Sequence, residues 1–189
     1  MDRREKIYKE ALALFNKHGY DNTSTSKIAE ALHISKAGLY HYISSKQHLL
    51  FLIHEDYMKK HFIPILEGAE KFSDPEKRIT YFIQNYATLL SQDASARVLI
   101  HETRRLEPRY RKEIKRVWRR AFHLIRDSLT EMQASKKGKK LNSAFSAFAV
   151  IGMVSWTFYW FDYARKGSGK ELSETFSEIF LRGFLKGSD

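Results

Sequence analysis

The chain has 189 residues and a mass of 22.2 kDa, enough for one good core or for a small head and a larger body. Its 43% hydrophobic and 29% charged content suits a packed soluble globule and argues against wholesale disorder. A formal charge of +11 favours a polyanionic partner such as nucleic acid, an anionic membrane or a phosphorylated ligand, and the lack of cysteine excludes disulfides, thiolate catalysis and cysteine-based metal sites.

In chain order, Ile7, Ala11, Leu14 and Phe15 form the apolar face of a first helix that Gly19 terminates. Charges are spread through MDRREKIYKEALALF, so this segment is expected to be an amphipathic helix and not a secretion signal. The stretch TSKIAEALHISKAGLYHYISSKQHLL, residues 25–50, reads as two short helices, a tight turn between them and a third helix start. Ile28, Ala29 and Leu32 have helical spacing behind a cap at Ser24 or Thr25. The turn is His33-Ile34-Ser35. Its first position needs a left-handed backbone, which His adopts more readily than most side chains, and Ile34 fills the angle between the helices. Ser35 caps a piece from Lys36 to Tyr42 that exposes Lys36, Ala37, His41 and Tyr42 and turns Leu39 inward. Ser44 and Gln47 match a capping box, so the next helix is expected near Lys46. It should run to about Ala69 with Leu49, Leu50, Ile53 and Tyr57 on one side and a kink at Pro64.

Pro75 opens a helix through Ile79, Phe82, Ile83, Tyr86 and Leu90, and another follows from about Ala94 to Leu106. Pro108 opens a long basic helix through Ile114, Val117, Trp118, Phe122, Ile125 and Leu129 that ends in SKKGKK. Residues 141–161 carry no charge over 21 positions, a length that could cross a bilayer. Asn142, Ser143, Ser146, Ser155 and Thr157 dilute that span, and a helix buried at a subunit interface is apolar for the same reason, which is the preferred reading. The last helix, from Glu171 to Lys186, carries a stripe of Leu172, Phe176, Ile179, Phe180 and Phe184 suited to a partner helix.

No phosphate-cradling glycine loop, nucleophile elbow or zinc-helix His pair is present, so catalysis and a resident cofactor are not expected. His54, Glu55, Asp56 and His61 make a weak metal constellation that reads better as a surface cluster. Residues 97–140 hold 15 Lys and Arg against 5 Asp and Glu, which accounts for +10 of the net +11. Two accounts stand: a solvated helix face, or a basic rim in which Arg104, Arg105, Arg109 and Arg111 offer guanidinium forks to phosphates. Phe62, Phe82, Tyr86, Trp118, Phe122, Trp156, Tyr159 and Trp160 come from four helices and either fill the core or line a ligand cavity between helices.

Turn, caps, small crossing residue and basic flank together make residues 25–50 a helix-turn-helix, whose second helix fits a major groove. The first fifty or so residues also resemble the N-terminal domain of the TetR family of transcriptional regulators, on HGYDNTS, IAEALHIS and GLYHYISSKQHLL, with Tyr40, Lys46 and Leu49-Leu50 in the family's places. His33 stands where the family usually has Gly, and Ile43 where it usually has Phe. The expected architecture is therefore all-α with about nine helices: a three-helix helix-turn-helix DNA-binding domain over residues 1–46, and a helical-bundle ligand-binding and dimerisation domain over 47–189. Lys36, Ala37 and His41 are the candidates for base edges; Thr25, Lys27, Tyr40, Tyr42 and Lys46 are the candidates for phosphates, Thr25 and Tyr40 by resemblance.

ETRRLEPRYRKEI and GMVSWTFYWFDYARKGSGKELSETFSEIFLRGFLKG resemble a TetR subgroup that represses fatty-acid and sterol-degradation genes and senses acyl-CoA thioesters, with Ser155 and Ala164 departing from its usual Asn and Pro. That resemblance implies an acyl chain in the bundle, lined by the aromatics named above, and a nucleotide at a basic mouth that includes Arg104 and Arg105. It also implies a four-helix dimer interface, for which Phe176, Ile179, Phe180 and Phe184 are the candidates. The expected protein is a cytoplasmic homodimeric repressor, released from a near-palindromic operator by an apolar or acyl-CoA-like effector. The rival classes are a membrane-associated helical protein and a small-molecule-modifying enzyme that uses the aromatic cavity.

Overall fold

A computed structural model describes residues 2–160 and 168–185, apart from the side chains of Ala94, Arg97, Val98, Phe158, Trp160 and Ser168. The described residues are helical throughout, joined by short turns, and one isolated bridge pairs Gly138 with Leu185. In order the helices are α1 (Arg3–His18), α2 (Thr25–Ala31), α3 (Lys36–Tyr40), α4 (Lys46–Tyr57), α5 (Ile63–Glu70), α6 (Pro75–Gln92), α7 (Ala94–Glu102), α8 (Pro108–Ala134), α9 (Ser143–Trp160) and α10 (Ser168–Phe184). A π-helical turn, Met58–Phe62, joins α4 to α5 into a single rod, so the described chain contains nine rods.

The head forms around Ile7, Ala11, Phe15, Ile28, Ala29, Leu39, Leu49 and Leu50, all buried. Gly19, at φ 79°, stops α1, and its N–H reaches back to the Phe15 carbonyl at 2.9 Å. Helix α2 ends in a Schellman arrangement. His33 takes φ 54°, its N–H donates to the Glu30 carbonyl at 2.9 Å, and the N–H of Ile34 donates to Ala29 at 3.0 Å. The left-handed residue expected in the turn is thus His33, and Ile34 is held against the end of α2 by the same pair of bonds. Ser24, not Thr25, caps α2 by accepting from the N–H of Lys27, and Ser35 caps α3 by accepting from Gly38 at 2.9 Å. The cap of α4 lies one residue later than the Ser44 box predicts: Ser45 accepts from the N–H of His48, while the N–H of Ser44 donates to His48 Nδ1.

The rod shared by head and body is irregular where Pro64 predicts a kink, and the irregularity is a π turn placed just ahead of it. Proline has no N–H for the carbonyl of Lys60, and the chain widens by one residue so that the N–H of Ile63 donates to Met58. In the body α6 lies centrally against α5, α8, α9 and α10, and buries Ile79, Phe82, Ile83, Tyr86, Ala87 and Leu90 at helical spacing. Asp74 caps it by accepting from Glu76 at 2.9 Å, and Pro75 occupies its first turn. Helix α5 crosses close to α6 at Gly68, where an added Cβ would come within 2.6 Å of the Tyr81 ring. The uncharged segment becomes the 18-residue α9, and no helix among the described residues is long and apolar enough to cross a membrane.

Candidate functional site

The exposed surface of the head gathers most of the residues expected to meet DNA. Lys36, Ala37, Tyr40 and His41 are exposed on or beside α3, and Tyr42 is half-buried. Thr25, at the start of α2, and Tyr40, at the end of α3, place their hydroxyl oxygens 3.4 Å apart on the surface. Two hydroxyls so close suit a single phosphate oxygen, since each can donate once the acceptor arrives. Lys27 is exposed, with its ammonium on the carbonyl of Asn22 at 3.1 Å. Lys46 has a second occupation. Its ammonium donates to the carbonyls of Tyr20 at 2.9 Å and Thr23 at 3.1 Å, and lies 4.3 Å from the centre of the Tyr20 ring. Thr23, fully buried, donates to the carbonyl of Gly19 at 2.8 Å, and burial pushes the Tyr20 hydroxyl up to about 12. Lys46 therefore ties the corner between α1 and α2 to the start of α4, which sets where Thr25 stands.

Behind the head, an aromatic cluster closes the junction of rod and body. Phe62 lies 4.7 Å from Trp118 and 5.2 Å from Tyr86, and Phe82 packs behind both Phe62 and Tyr86. Phe62, Tyr86 and Trp118 line a small apolar cavity with His54, Met58, Leu89, Leu90, Ala96, Leu99 and Ile100. Its free volume is about 20 Å³, room for one water-sized group. The hydroxyl of Tyr86 lies 3.0 Å from Ser155 Oγ, and burial raises its pKa strongly. A wider cleft of about 320 Å³ lies between α1, α4 and the start of α7, but its walls are mixed, with Leu12 and Ile53 beside the ion-paired Glu5, Asp56 and Lys60. Tyr57 lines both spaces. The cleft is the larger, yet the cavity has the chemistry an apolar ligand needs.

These two sites sit within chain-wide similarity to known regulators. Residues 7–53 match the profile "Bacterial regulatory proteins, tetR family", and residues 73–184 match "Tetracyclin repressor-like, C-terminal domain". The chain belongs to the TetR family. The HTH-type transcriptional regulator HbdR of Aromatoleum sp. (strain CIB) is 23% identical over 186 residues, covering 97% of this chain and 81% of that protein. The TetR-family regulator PfmR of Thermus thermophilus superposes with a TM-score of 0.86 at 26% identity, over 99% of this chain and 100% of the other. AibR, solved with isovaleryl coenzyme A and operator DNA, gives a TM-score of 0.86 at 23% identity over 94% of this chain and 97% of the other.

Within the TetR architecture, several residues read from sequence as cavity lining stand elsewhere. Trp156 and Tyr159 are 62% and 45% exposed, packed on each other at 5.0 Å. With Phe145, Phe148 and Gly152 they make one exposed apolar stripe along α9, spaced three or four residues apart. The error has a physical cause: α9 is apolar all round, so periodicity could not separate its inner face, Ala147, Val150 and Val154, from its outer one. Phe122 packs on Phe148 at 4.8 Å and not on the cavity, and the side chain of Trp160 lies outside the described ones. On α10, Ile179 is exposed, Phe176 and Phe180 are half-buried, and Phe184 is buried within its own protomer against Phe180 and Gly138.

Among the described residues, five arginines of the basic segment are paired with carboxylates, and two of those partners, Asp21 and Glu70, lie outside it. Arg105 forks to Asp21 of the head at 2.9 Å and to Glu102 of α7, so its guanidinium bridges the two parts and is not a free phosphate ligand; Arg104 is exposed. Arg109, Arg116, Arg120 and Arg126 pair with Glu107, Glu113, Glu70 and Asp127. Glu55 and Asp56 pair with Lys59 and Lys60, and no group of side chains able to hold a metal occurs among the described residues. Sequence reasoning also misplaced His54, expected on the surface, which is 2% exposed and lines the cavity. The signal was there, since Leu50, His54 and Met58 follow one another at four-residue spacing on the buried face of the rod.

Proposed function

We propose that this TetR-family regulator is a homodimeric repressor whose grip on a near-palindromic operator is released by an acyl-CoA-type effector bound at the aromatic cluster. The observation that carries this reading is the continuous rod of α4 and α5, which has its start in the head core at Leu49 and Leu50 and its middle, from His54 to Phe62, in the wall of the cavity. An effector that spreads that wall acts on the element that carries the head. The similarity to AibR, a protein solved with an acyl-CoA and with operator DNA, supports the effector class. The head, residues 1–46, reads bases through Lys36, Ala37 and His41 and holds phosphates through Thr25, Lys27, Tyr40, Tyr42 and Lys46, the last also ordering its own corner. The remainder, 47–189, binds effector and dimerises through the apolar stripe of α9 and Ile179 of α10.

Selection of bound duplexes from a random pool, followed by fluorescence anisotropy with the selected duplex, tests this directly. The expected result is a two-fold symmetric site whose affinity falls about a hundredfold with a saturating acyl-CoA, a coupling of roughly 2.7 kcal/mol. A panel of short-, medium- and long-chain acyl-CoAs that leaves operator affinity unchanged would reject the effector; an asymmetric site would reject the dimeric reader.

A further inference from the structure

The surface of the cavity at the rod is apolar, and behind it, among the lining residues, stands the buried imidazole of His54. The imidazole is 2% exposed, and Nδ1 has no hydrogen-bond partner among the described residues. Buried polar atoms are nearly always paired, and each that is not calls for an explanation such as a group that arrives later. The other polar lining atom with a stated partner, the hydroxyl of Tyr86, is already engaged by Ser155. Burial holds the imidazole down to about 4, so near neutral pH it is uncharged and offers one N–H and one lone pair. Uncharged, it has no charge with which to hold an anion, and no further metal-ligating side chain joins it among the described residues; its N–H fits a neutral, polarised oxygen. The facing groups from the packed elements are Met58 and Phe62 of the π turn, Tyr86, Leu89 and Leu90 of α6, Ala96, Leu99 and Ile100 of α7, and Trp118 of α8, none of them a formal charge.

We infer that His54 is the effector's polar recognition group: its Nδ1–H donates to the carbonyl oxygen of a small acyl group whose hydrocarbon part lies among Phe62, Leu99 and Trp118. This rests on the proposed acyl-effector reading and adds to it a residue, an atom of the ligand and a size class. The acyl group is small because the cavity is small: about 20 Å³ must be enlarged by movement of the half-buried Trp118 and of Tyr57, which lines both the cavity and the wider cleft. His54 stands one turn before the π turn, and its own carbonyl accepts from the N–H of Met58, the first residue of that turn. A carbonyl held by His54 is thereby attached to the rod at its least regular point.

The test uses the full-length protein with two kinds of probe. First, isovaleryl-CoA is titrated calorimetrically into wild type, His54→Leu and His54→Gln. The expected result is a loss of about tenfold in affinity for His54→Leu, the worth of one hydrogen bond, and partial recovery in His54→Gln, which keeps a donor. Second, the imidazole nitrogens are observed by NMR in ¹⁵N-histidine-labelled protein with 4-methyl-2-pentanone and with 2-methylpentane, which share a branched chain but differ in the carbonyl. The ketone is expected to shift the His54 nitrogen resonances and the hydrocarbon to leave them in place. If isovaleryl-CoA binds wild type and His54→Leu equally, or the ketone leaves the His54 resonances unmoved, the inference falls while the acyl-CoA reading stands. If no thioester binds but the ketone shifts His54, the CoA reading falls and the carbonyl site stands.

Discussion

Trp156→Glu tests whether the exposed stripe of α9 is a symmetric interface. The indole is 62% exposed and its ring neighbour, Tyr159, lies on the same helix, so the substitution leaves the protomer core intact. A Trp side chain presents roughly 250 Å² at most, so the exposed part is about 150 Å² per protomer, counted twice in a two-fold dimer. At ~25 cal/mol per Å² the pair of indoles contributes about 7 kcal/mol as an upper bound, and a third of that still raises the dimer dissociation constant roughly fiftyfold. Burying a carboxylate in the same place adds an unfavourable desolvation. Light scattering across a dilution series and operator anisotropy at the same concentrations measure both ends of the argument. Wild type should be a dimer, the variant a monomer with weak operator binding, and their urea midpoints alike when compared as monomers. A variant that dimerises as wild type does would refute the assignment of this stripe. Phe180→Asp, the choice that the sequence suggests, is the poorer probe, because Phe180 stacks on the buried Phe184 and its loss would disturb the protomer as well.

His54 also gives stability a pH dependence. Its folded pKa, about 4, lies below the ordinary 6.5, so between those values the unfolded chain binds a proton that the folded one refuses and stability falls as pH falls. The full effect is on the order of 3 kcal/mol, and urea unfolding at pH 7 and pH 4.5 should show a steeper loss in wild type than in His54→Leu; parallel losses would contradict it. Gly68→Ala should destabilise by about 1–3 kcal/mol, since the new methyl meets the ring of Tyr81 across the α5 and α6 contact, and a thermal midpoint equal to wild type would mean the helices separate freely. Lys46→Met should cost about 1–2 kcal/mol of stability, half-exposed as Lys46 is, and should weaken operator binding more than Lys27→Met does, because it frees the corner that positions Thr25. Equal affinities in anisotropy for the two variants would count against that second role.

The head was legible because local chemistry decides it. A left-handed position at His33, a Ser at the start of each short helix and an inward Leu39 are each written within a few residues of where they act. The order of the body helices was legible for the same reason, from Pro75, Pro108 and amphipathic spacing. What the sequence left open depends on contacts between distant residues. Spacing alone turns Trp156 and Tyr159 inward because an all-round apolar helix carries no face, and it leaves Phe184 to a partner because nothing local announces Gly138 beneath it. Arg105 looks free for phosphate because Asp21 is 84 residues away.

The charge distribution bears on how such a head could be switched. Residues 1–60 hold 10 Lys and Arg against 7 Asp and Glu, and the arginine-rich segment that carries the basicity lies elsewhere, with five of its 15 cations on Glu70, Glu102, Glu107, Glu113 and Asp127. A single head with so modest an excess gains little from counterion release, so tight operator binding requires both heads to engage together, the second at the high effective concentration that the first provides. That gain disappears when geometry forbids simultaneous contact. The rod needs only to shift the half-site spacing, not to unfold a head, and its π turn at Met58–Phe62 marks the place where its helical hydrogen bonding is already irregular. The Asp21 pair with Arg105 opposes free rotation of the head, but an exposed pair of this kind is worth at most about 1 kcal/mol. An effector with a few kcal/mol of preference for the spread cavity therefore suffices to separate the two half-site contacts.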